Sequence, residues 1–362
     1  MKKRVIINIA AICFLVLFLV VLQELLMPKY VSEIHEGNLV AEYYDEVKEH
    51  DVIFIGDCEV FSNISPVTLW ENYGITSYIR GSAQQLVWQS YYLLEETLAY
   101  EKPDAVVFNV LAMKYDEPQK EAYNRLTLDR MKWSKSKIGA IKASMMKDEE
   151  FMTYMFPILR YHTRWSELSG EDLRYLFNRE KLSHNGYLMR IDTKPVTVIP
   201  EGRKLGNYQF GSNSYHYLDK MTKLCKDNGI ELILIKSPSV YPYWYGEWDE
   251  QMVQYAKDNG LTYINFLNLT DDMGMDYSKD TYDGGLHLNL SGAEKFTDYF
   301  GGMLSNTYGL EDHRNDPELA EIWQEKIDFY DAMKEDQERE LKKYGYLKSY
   351  GAVTQKIESE VE

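Results

Sequence analysis

Cysteine is scarce in this sequence. Its three residues are too few for a disulfide framework, and one of them, Cys13, sits in an apolar N-terminal run. Cys225 shares a helical stripe with Leu218 and Met221, the pattern of a small buried apolar residue, although a bridge from Cys58 to Cys225 stays chemically open in an oxidising compartment. Positive charge is short as well. The 40 Lys and Arg against 57 Asp and Glu leave a formal net charge of -17, which speaks against nucleic acid as a partner because phosphate binding relies on clustered cations. No glycine-rich phosphate loop is present, so no nucleotide cofactor is expected. His35, His184, His216 and His313 lack ligand spacing, so no metal is expected either.

What is present begins at the N-terminus. Lys2, Lys3 and Arg4 precede a run from Val5 to Leu22 that is apolar apart from Asn8, and Leu25 to Met27 extend it beyond Gln23 and Glu24. At about 1.5 Å per residue this nearly spans a bilayer. The basic flank is expected in the cytoplasm and everything after Pro28 outside it. No small-x-small cleavage site follows, so an uncleaved signal anchor is expected rather than a removed signal peptide. The chain then divides into a cytoplasmic flank and transmembrane segment (1–28), a helical connection (29–50), a main domain (51–310) and a C-terminal amphipathic helix with an acidic tail (311–362).

The main domain alternates buried strands with helices. Asp51 to Ile55 is a short apolar run bounded by Gly56, which fits a strand in a parallel sheet. Ser65 and Pro66 then supply a cap and first residue for a helix to Tyr73, and Ile75 to Ile79 is a second strand. Gly81 to Gln85 leads into a helix whose stripe is Val87, Tyr91, Leu94 and Leu98, and a third strand lies within Asp104 to Asn109. Cys225 to Ile235 and Ala256 to Phe266 each read as a helix end, a glycine cap and a strand. The expected fold is therefore α/β, a three-layer α/β/α sandwich around a five-stranded parallel sheet of flavodoxin-like type, preceded by one transmembrane helix. Ligands of such sheets bind beyond the carboxyl ends of the strands, where Cys58, Gly81, Asn109 and the loop after Lys236 would gather.

A mostly helical insertion, roughly 112–212, separates the third and fourth strands, with Asp148 to Phe156 and Ser169 to Phe177 as its better helix candidates. Its Arg125, Arg130, Lys132, Lys135, Lys137, Lys142 and Lys147 read either as a solvated helical face or as a cover that attracts an anionic envelope polymer. Near the C-terminus, Asp316 and Pro317 open a helix whose stripe of Leu319, Ile322, Trp323, Ile327 and Tyr330 is expected to pack on this domain. Beyond Lys348 the tail reads as disordered.

Cys58 falls in a strand-to-helix turn, where unpaired backbone N–H groups could serve a developing oxyanion. Far along the chain, Asp283-Gly-Gly-Leu-His287 precedes a helix expected to start at about Gly292, with Ser291 and Glu294 as its capping box. The spacing lets the Asp283 carboxylate reach Nδ1 of His287, fix its tautomer and leave Nε2 free for a nucleophile. Asp57 and Glu59 would raise the thiol pKa, and helix donors and His287 would lower it. Tyr241, Tyr243, Trp244, Tyr245 and Trp248 could stack on sugar rings or simply pack under a loop. Arg160, His162 and Arg164 could orient a phosphate or carboxylate or hold structure together. Asp57 and Gln84 complete the candidate substrate contacts.

Taken in order, Gly56-Asp57-Cys58-Glu59 after a strand, Gly81 after the second, Asn109 ending the third, and Asp283 with His287 before the last helix resemble the successive blocks of the SGNH/GDSL hydrolase superfamily. The anchor and the His287-Leu288-Asn289 ending resemble its extracytoplasmic acyl-transfer branch, which includes the D-alanyl transfer protein of teichoic acids and the alginate O-acetylation proteins. The resemblance runs roughly from Asp51 to Ser305. It implies acyl transfer or deacylation on a cell-envelope glycopolymer by Cys58, His287 and Asp283, with Gly81 and Asn109 as oxyanion donors, in company with a membrane acyltransferase partner. The departure is that Cys58 stands where the family has a serine, and an inactive domain that binds glycan or scaffolds such a partner is the alternative.

Overall fold

The computed structural model describes residues 2–28, 39–179, 181–199 and 201–350. Residues 29–38, which hold His35 and part of the expected helical connection, and the tail from 351 lie outside the described residues. Five strands form the centre: β1 (Val52–Gly56), β2 (Ser77–Gly81), β3 (Ala105–Asn109), β4 (Glu231–Lys236) and β5 (Thr262–Asn265). All pair in parallel, in the order β2-β1-β3-β4-β5. The five-stranded parallel α/β architecture expected from the sequence is the one the chain adopts. β1 lies between β2 and β3, so the connections leaving it diverge and open a crevice beyond the carboxyl ends of β1 and β3.

The N-terminal helix α1 (Lys2–Leu26) is long and apolar enough to cross a membrane. After β1 comes α2 (Cys58–Asn63), then α3 (Pro66–Tyr73), capped by the Ser65 side chain and closed by Gly74 in the left-handed region. The separate helix α2 was not anticipated. Asp57 is a good cap that begins it at once, and Pro66 disfavours helical backbone at Ser65, so two short helices replace a loop and one helix. α4 (Val87–Thr97) bridges β2 and β3.

The segment after β3 contributes α5 (Glu121–Leu128), α6 (Lys135–Ser144), α7 (Phe151–Met155), α8 (Ile158–Tyr161) and α9 (Gly170–Phe177). Of these, α5 and α6 were not among the helices the sequence singled out in this segment. The buried side of α6 mixes Ser136, Lys137, Ala140, Ile141 and Ser144, which leaves little apolar period to detect. Of the insertion's basic residues, Lys132, Lys135, Lys142 and Lys147 are exposed, whereas Arg125, Arg130 and Lys137 are drawn inside. Arg125 and Lys137 are buried, Arg125 against Glu121 and Asp129, and Lys137 against the carbonyls of Asp129 and Met131.

α10 (Ser212–Asn228) and α11 (Gly246–Asn259) flank β4, and α12 (Leu290–Tyr308) and α13 (Pro317–Tyr344) complete the fold. Alternate strand residues feed two cores. Ile53, Ile55, Val106, Phe108, Leu232 and Leu234 pack with α4, α10 and α11, and Cys225 is buried among them. Phe54, Val107, Ile233 and Ile235 pack with α2, α3, α12 and α13. Trp323 stacks on Trp70 at 5.0 Å between ring centres, which seats α13 on α3. Leu319 and Tyr330 are buried in the same core.

Candidate functional site

β1 ends in Gly56, whose φ of +154° suits glycine and whose added Cβ would meet the Asn109 Cβ at 3.1 Å. Gly81 ends β2 against the same turn: a Cβ there would lie 2.7 Å from Val60 and 3.2 Å from the Gly56 carbonyl. The two glycines thus let β2 and α2 close tightly under Cys58, the first residue of α2. Cys58 is half-buried and its thiol is free, as are those of Cys13 and Cys225.

His287 comes from the loop before α12. Thr281 and Leu288 form an antiparallel bridge that pinches this loop, and the Thr281 hydroxyl donates to the His287 carbonyl at 2.8 Å. Asp283 holds the histidine twice: one carboxylate oxygen accepts its backbone N–H at 2.8 Å, and the other lies 2.6 Å from Nδ1. Tyr282 stacks on the imidazole, 5.6 Å between centres and 16° from parallel. Nε2 of His287 is buried with no hydrogen-bond partner among the described residues. It lies near enough to Cys58 that each group moves the other's pKa. One nitrogen of the imidazole is thus fixed by a carboxylate and the other is left unpaired, with Cys58 near the ring.

Burial is the largest influence on Cys58 and raises its pKa, Asp57 and Glu59 raise it further, and His287 pulls it down; the sum is a raised pKa. For His287, burial opposes charge, yet the pKa stands well above the ordinary imidazole value because Tyr282, Cys58 and Asp283 outweigh it. Tyr282 and Cys58 act this way only when ionised. Burial pushes the Tyr282 pKa up to about 12 and that of Cys58 above its usual value, so near neutral pH the carboxylate of Asp283 is the partner that holds a proton on His287.

Beneath Cys58 lies a buried polar network that sequence reading missed. Lys236 Nζ donates to both Glu59 carboxylate oxygens at 2.8 and 3.0 Å and to the Ser237 carbonyl at 2.7 Å, and neither side chain of the ion pair is exposed. Asn63 Nδ2 donates to the hydroxyls of Ser237 and Ser239 at 2.7 and 2.8 Å, and its Oδ1 accepts the Leu288 N–H at 2.8 Å. Asn63 so ties α2, the loop after β4 and the histidine loop together. The signal in the sequence was faint: a lone lysine ending an apolar strand, and an asparagine with no motif around it.

Several anticipated contacts are placed elsewhere. Nδ2 of Asn109 donates to Asp57 at 3.1 Å and to Glu59 at 2.8 Å, and its Oδ1 accepts the Ser237 N–H, so its amide is engaged and is not a free oxyanion donor. Asp57 is 3% exposed and its carboxylate turns inward, accepting from Asn109 and from the Glu59 N–H, which removes it from the substrate face. Trp244 is buried against Phe210 and Trp248 and donates to Asp249, a core residue rather than a sugar platform. Tyr243 is exposed and packs edge-on against Tyr245. Arg160 pairs with Glu121 and His162 with the Leu159 carbonyl, both within the insertion, and Arg164 donates to the Leu26 carbonyl and to Asp172, so Arg164 is the one of the three that ties the insertion to α1. Gln84 follows Gly81 with a φ of 52°, a conformation uncommon outside glycine, and its half-buried side chain has no partner among the described residues.

Tyr115 joins the rim unannounced by the sequence, beside Tyr241 of the anticipated aromatic cluster. Burial first, then the nearby charges of Asp57 and Cys58 and the neighbouring Tyr241, push the Tyr115 pKa up to about 12. The Tyr241 N–H donates to the Gly285 carbonyl at 3.0 Å, tying the loop after β4 to the histidine loop. Among the described residues, no group of three or more His, Cys, Asp or Glu is disposed to hold a metal ion.

Neither a protein-family model nor a curated protein matches this sequence. Among solved structures, a protein of Bacteroides fragilis NCTC 9343 proposed to be an acylhydrolase is similar over 74% of this chain and 94% of its own length, at 13% identity and a TM-score of 0.35. A likeness of that size carries no functional argument.

Proposed function

We propose that this chain is a membrane-anchored, outward-facing acyltransferase or esterase of SGNH type that acts on acyl groups of a cell-envelope glycopolymer. The observation that carries the proposal is the unpaired Nε2 of His287, whose Nδ1 is held by Asp283, with Cys58 close enough that each group shifts the other's pKa. Cys58 Sγ attacks the acyl carbon while its proton passes to Nε2, and the tetrahedral oxygen is held by the backbone N–H groups of Cys58 and Gly81. Collapse expels the donor alkoxide, which takes the proton from His287 and leaves a thioester on Cys58. His287 then deprotonates an acceptor hydroxyl, or water, whose oxygen attacks the thioester, and the departing Cys58 sulfur takes that proton back from Nε2 to restore the thiol. Asp283 keeps the tautomer throughout. A transferase supplied by a membrane acyltransferase accounts for α1 more simply than a free esterase does.

The test is the full chain in detergent with an activated acyl ester. A mass shift on Cys58 is expected that is absent in Cys58→Ala and longer-lived in His287→Ala. No adduct with any donor overturns the proposal. One observation favours a second reading: burial raises the Cys58 pKa, as in an inert thiol. A glycan-binding or scaffolding domain predicts partner binding that is unchanged in Cys58→Ala, with no acyl adduct.

A further inference from the structure

The insertion grips α1 at one level. From Lys2 to Val21 the helix is exposed on every side, and from Leu22 onward it is covered. At a rise of about 1.5 Å per residue the exposed part is about 30 Å long, which matches a hydrocarbon core about 30 Å thick. The first acidic side chain beyond it, Glu24, is held by Arg130 at 3.1 Å and by Arg179 at 2.7 Å. Arg164 donates to the Leu26 carbonyl at 2.7 Å, satisfying one of the acceptors left open at the end of α1. Leu26 and Met27 are buried with Tyr161. α1 therefore leaves its exposed stretch directly into a collar built by α8, α9 and the turns beside them.

Around that collar stand large apolar side chains that are half exposed or more. Trp133 is 61% exposed, Trp165 71% and Phe177 85%, with Leu159 and Leu173 about half exposed. Trp133 borders the same cavity as Gln23, Glu24 and Met27. Trp165 is next to the Arg164 that holds Leu26, and Phe177 ends the helix that precedes Arg179. Exposed tryptophan and phenylalanine gathered at one place on a soluble surface are unusual. At the depth where a spanning helix meets water they are the side chains expected, because an indole buries its rings in the acyl boundary and keeps its N–H at the headgroups.

We infer that the insertion around α8 and α9 is itself a membrane-contact surface, seated in the headgroup layer where α1 emerges, with Trp133, Trp165 and Phe177 dipped into the bilayer. Its occupant is lipid, because the face is continuous with the exit point of α1 and lies where the exposed stretch of that helix ends. The inference rests on α1 as a bilayer span, and the experiment separates the two. The full chain is reconstituted into phosphatidylcholine vesicles with and without dibrominated acyl chains, and tryptophan emission is compared with that of the Trp133→Phe/Trp165→Phe double variant. Trp70, Trp88, Trp244 and Trp323 are buried in the protein and the half-buried Trp248 packs on Trp244, so these five serve as the background. Strong bromolipid quenching is expected in the natural chain, with most of it lost in the double variant. Equal quenching in both, or none in either while α1 resists alkaline carbonate, overturns the inference alone; in the second case a protein partner is the occupant left. Release of the chain by alkaline carbonate overturns the span and the inference with it.

Discussion

The sulfur of Cys58 and the imidazole of His287 each resist the form that chemistry needs at neutral pH. Burial keeps the proton on the thiol, and Asp283 keeps one on His287, whereas the proposed attack requires an unprotonated Nε2. Because the His287 pKa is raised, the basic form accumulates only as pH climbs past the ordinary imidazole range. Acylation of Cys58 is therefore expected to rise with pH and to level off on the alkaline side. Asp283→Asn removes the carboxylate that raises His287, so the rising limb should move to lower pH while the maximal rate falls, on the order of 10²-fold or more. Acylation rates measured by mass spectrometry from pH 6 to 10 check both; a limb that does not move in the variant assigns the titration to another group.

At the scale of elements, three loops at the carboxyl ends of β1, β4 and the last crossover meet on buried polar groups. Lys236 and Glu59 are both fully buried, so each is tolerable only while the other remains. Lys236→Met should lower stability by about 3–5 kcal/mol by leaving Glu59 uncompensated, and adding Glu59→Gln should recover much of the loss. Urea unfolding of the full chain in detergent, single against double variant, reads this directly. Strictly additive losses would show that the pair is not the coupling assigned to it. The same network explains why Asn109 cannot be read in isolation. An asparagine ending a strand looks like a free amide in sequence, yet two carboxylates and a backbone N–H use both its ends.

For the whole molecule, α1 and the α/β domain are joined through the collar of arginines as well as through the chain itself. The proposed orientation puts Lys2, Lys3 and Arg4 inside the cell and the domain outside. A protease added to intact cells whose outer face is accessible should reach the exposed turns of the domain, and a tag fused ahead of Met1 should be protected. The reverse pattern would invert the topology and leave an extracytoplasmic glycopolymer out of reach of Cys58.

Local signals were enough for much of this. Apolar runs bounded by glycine or proline place all five strands within a few residues, and β1 to β4, buried on both faces along most of their length, leave few polar positions to confuse the pattern. The apolar length of α1 is likewise a property of the sequence alone, and the spacing from Asp283 to His287 is short enough for a single loop to define their contact. What depended on residues distant in sequence was not legible. The strand order that sets Cys58 at the crevice, the Lys236 and Glu59 ion pair, the engagement of Asn109, the burial of Trp244 and the use of Arg164 to close α1 all join positions tens to hundreds of residues apart. Sequence periodicity reports which face a residue presents, whereas the partner it meets there is fixed only when separate elements pack.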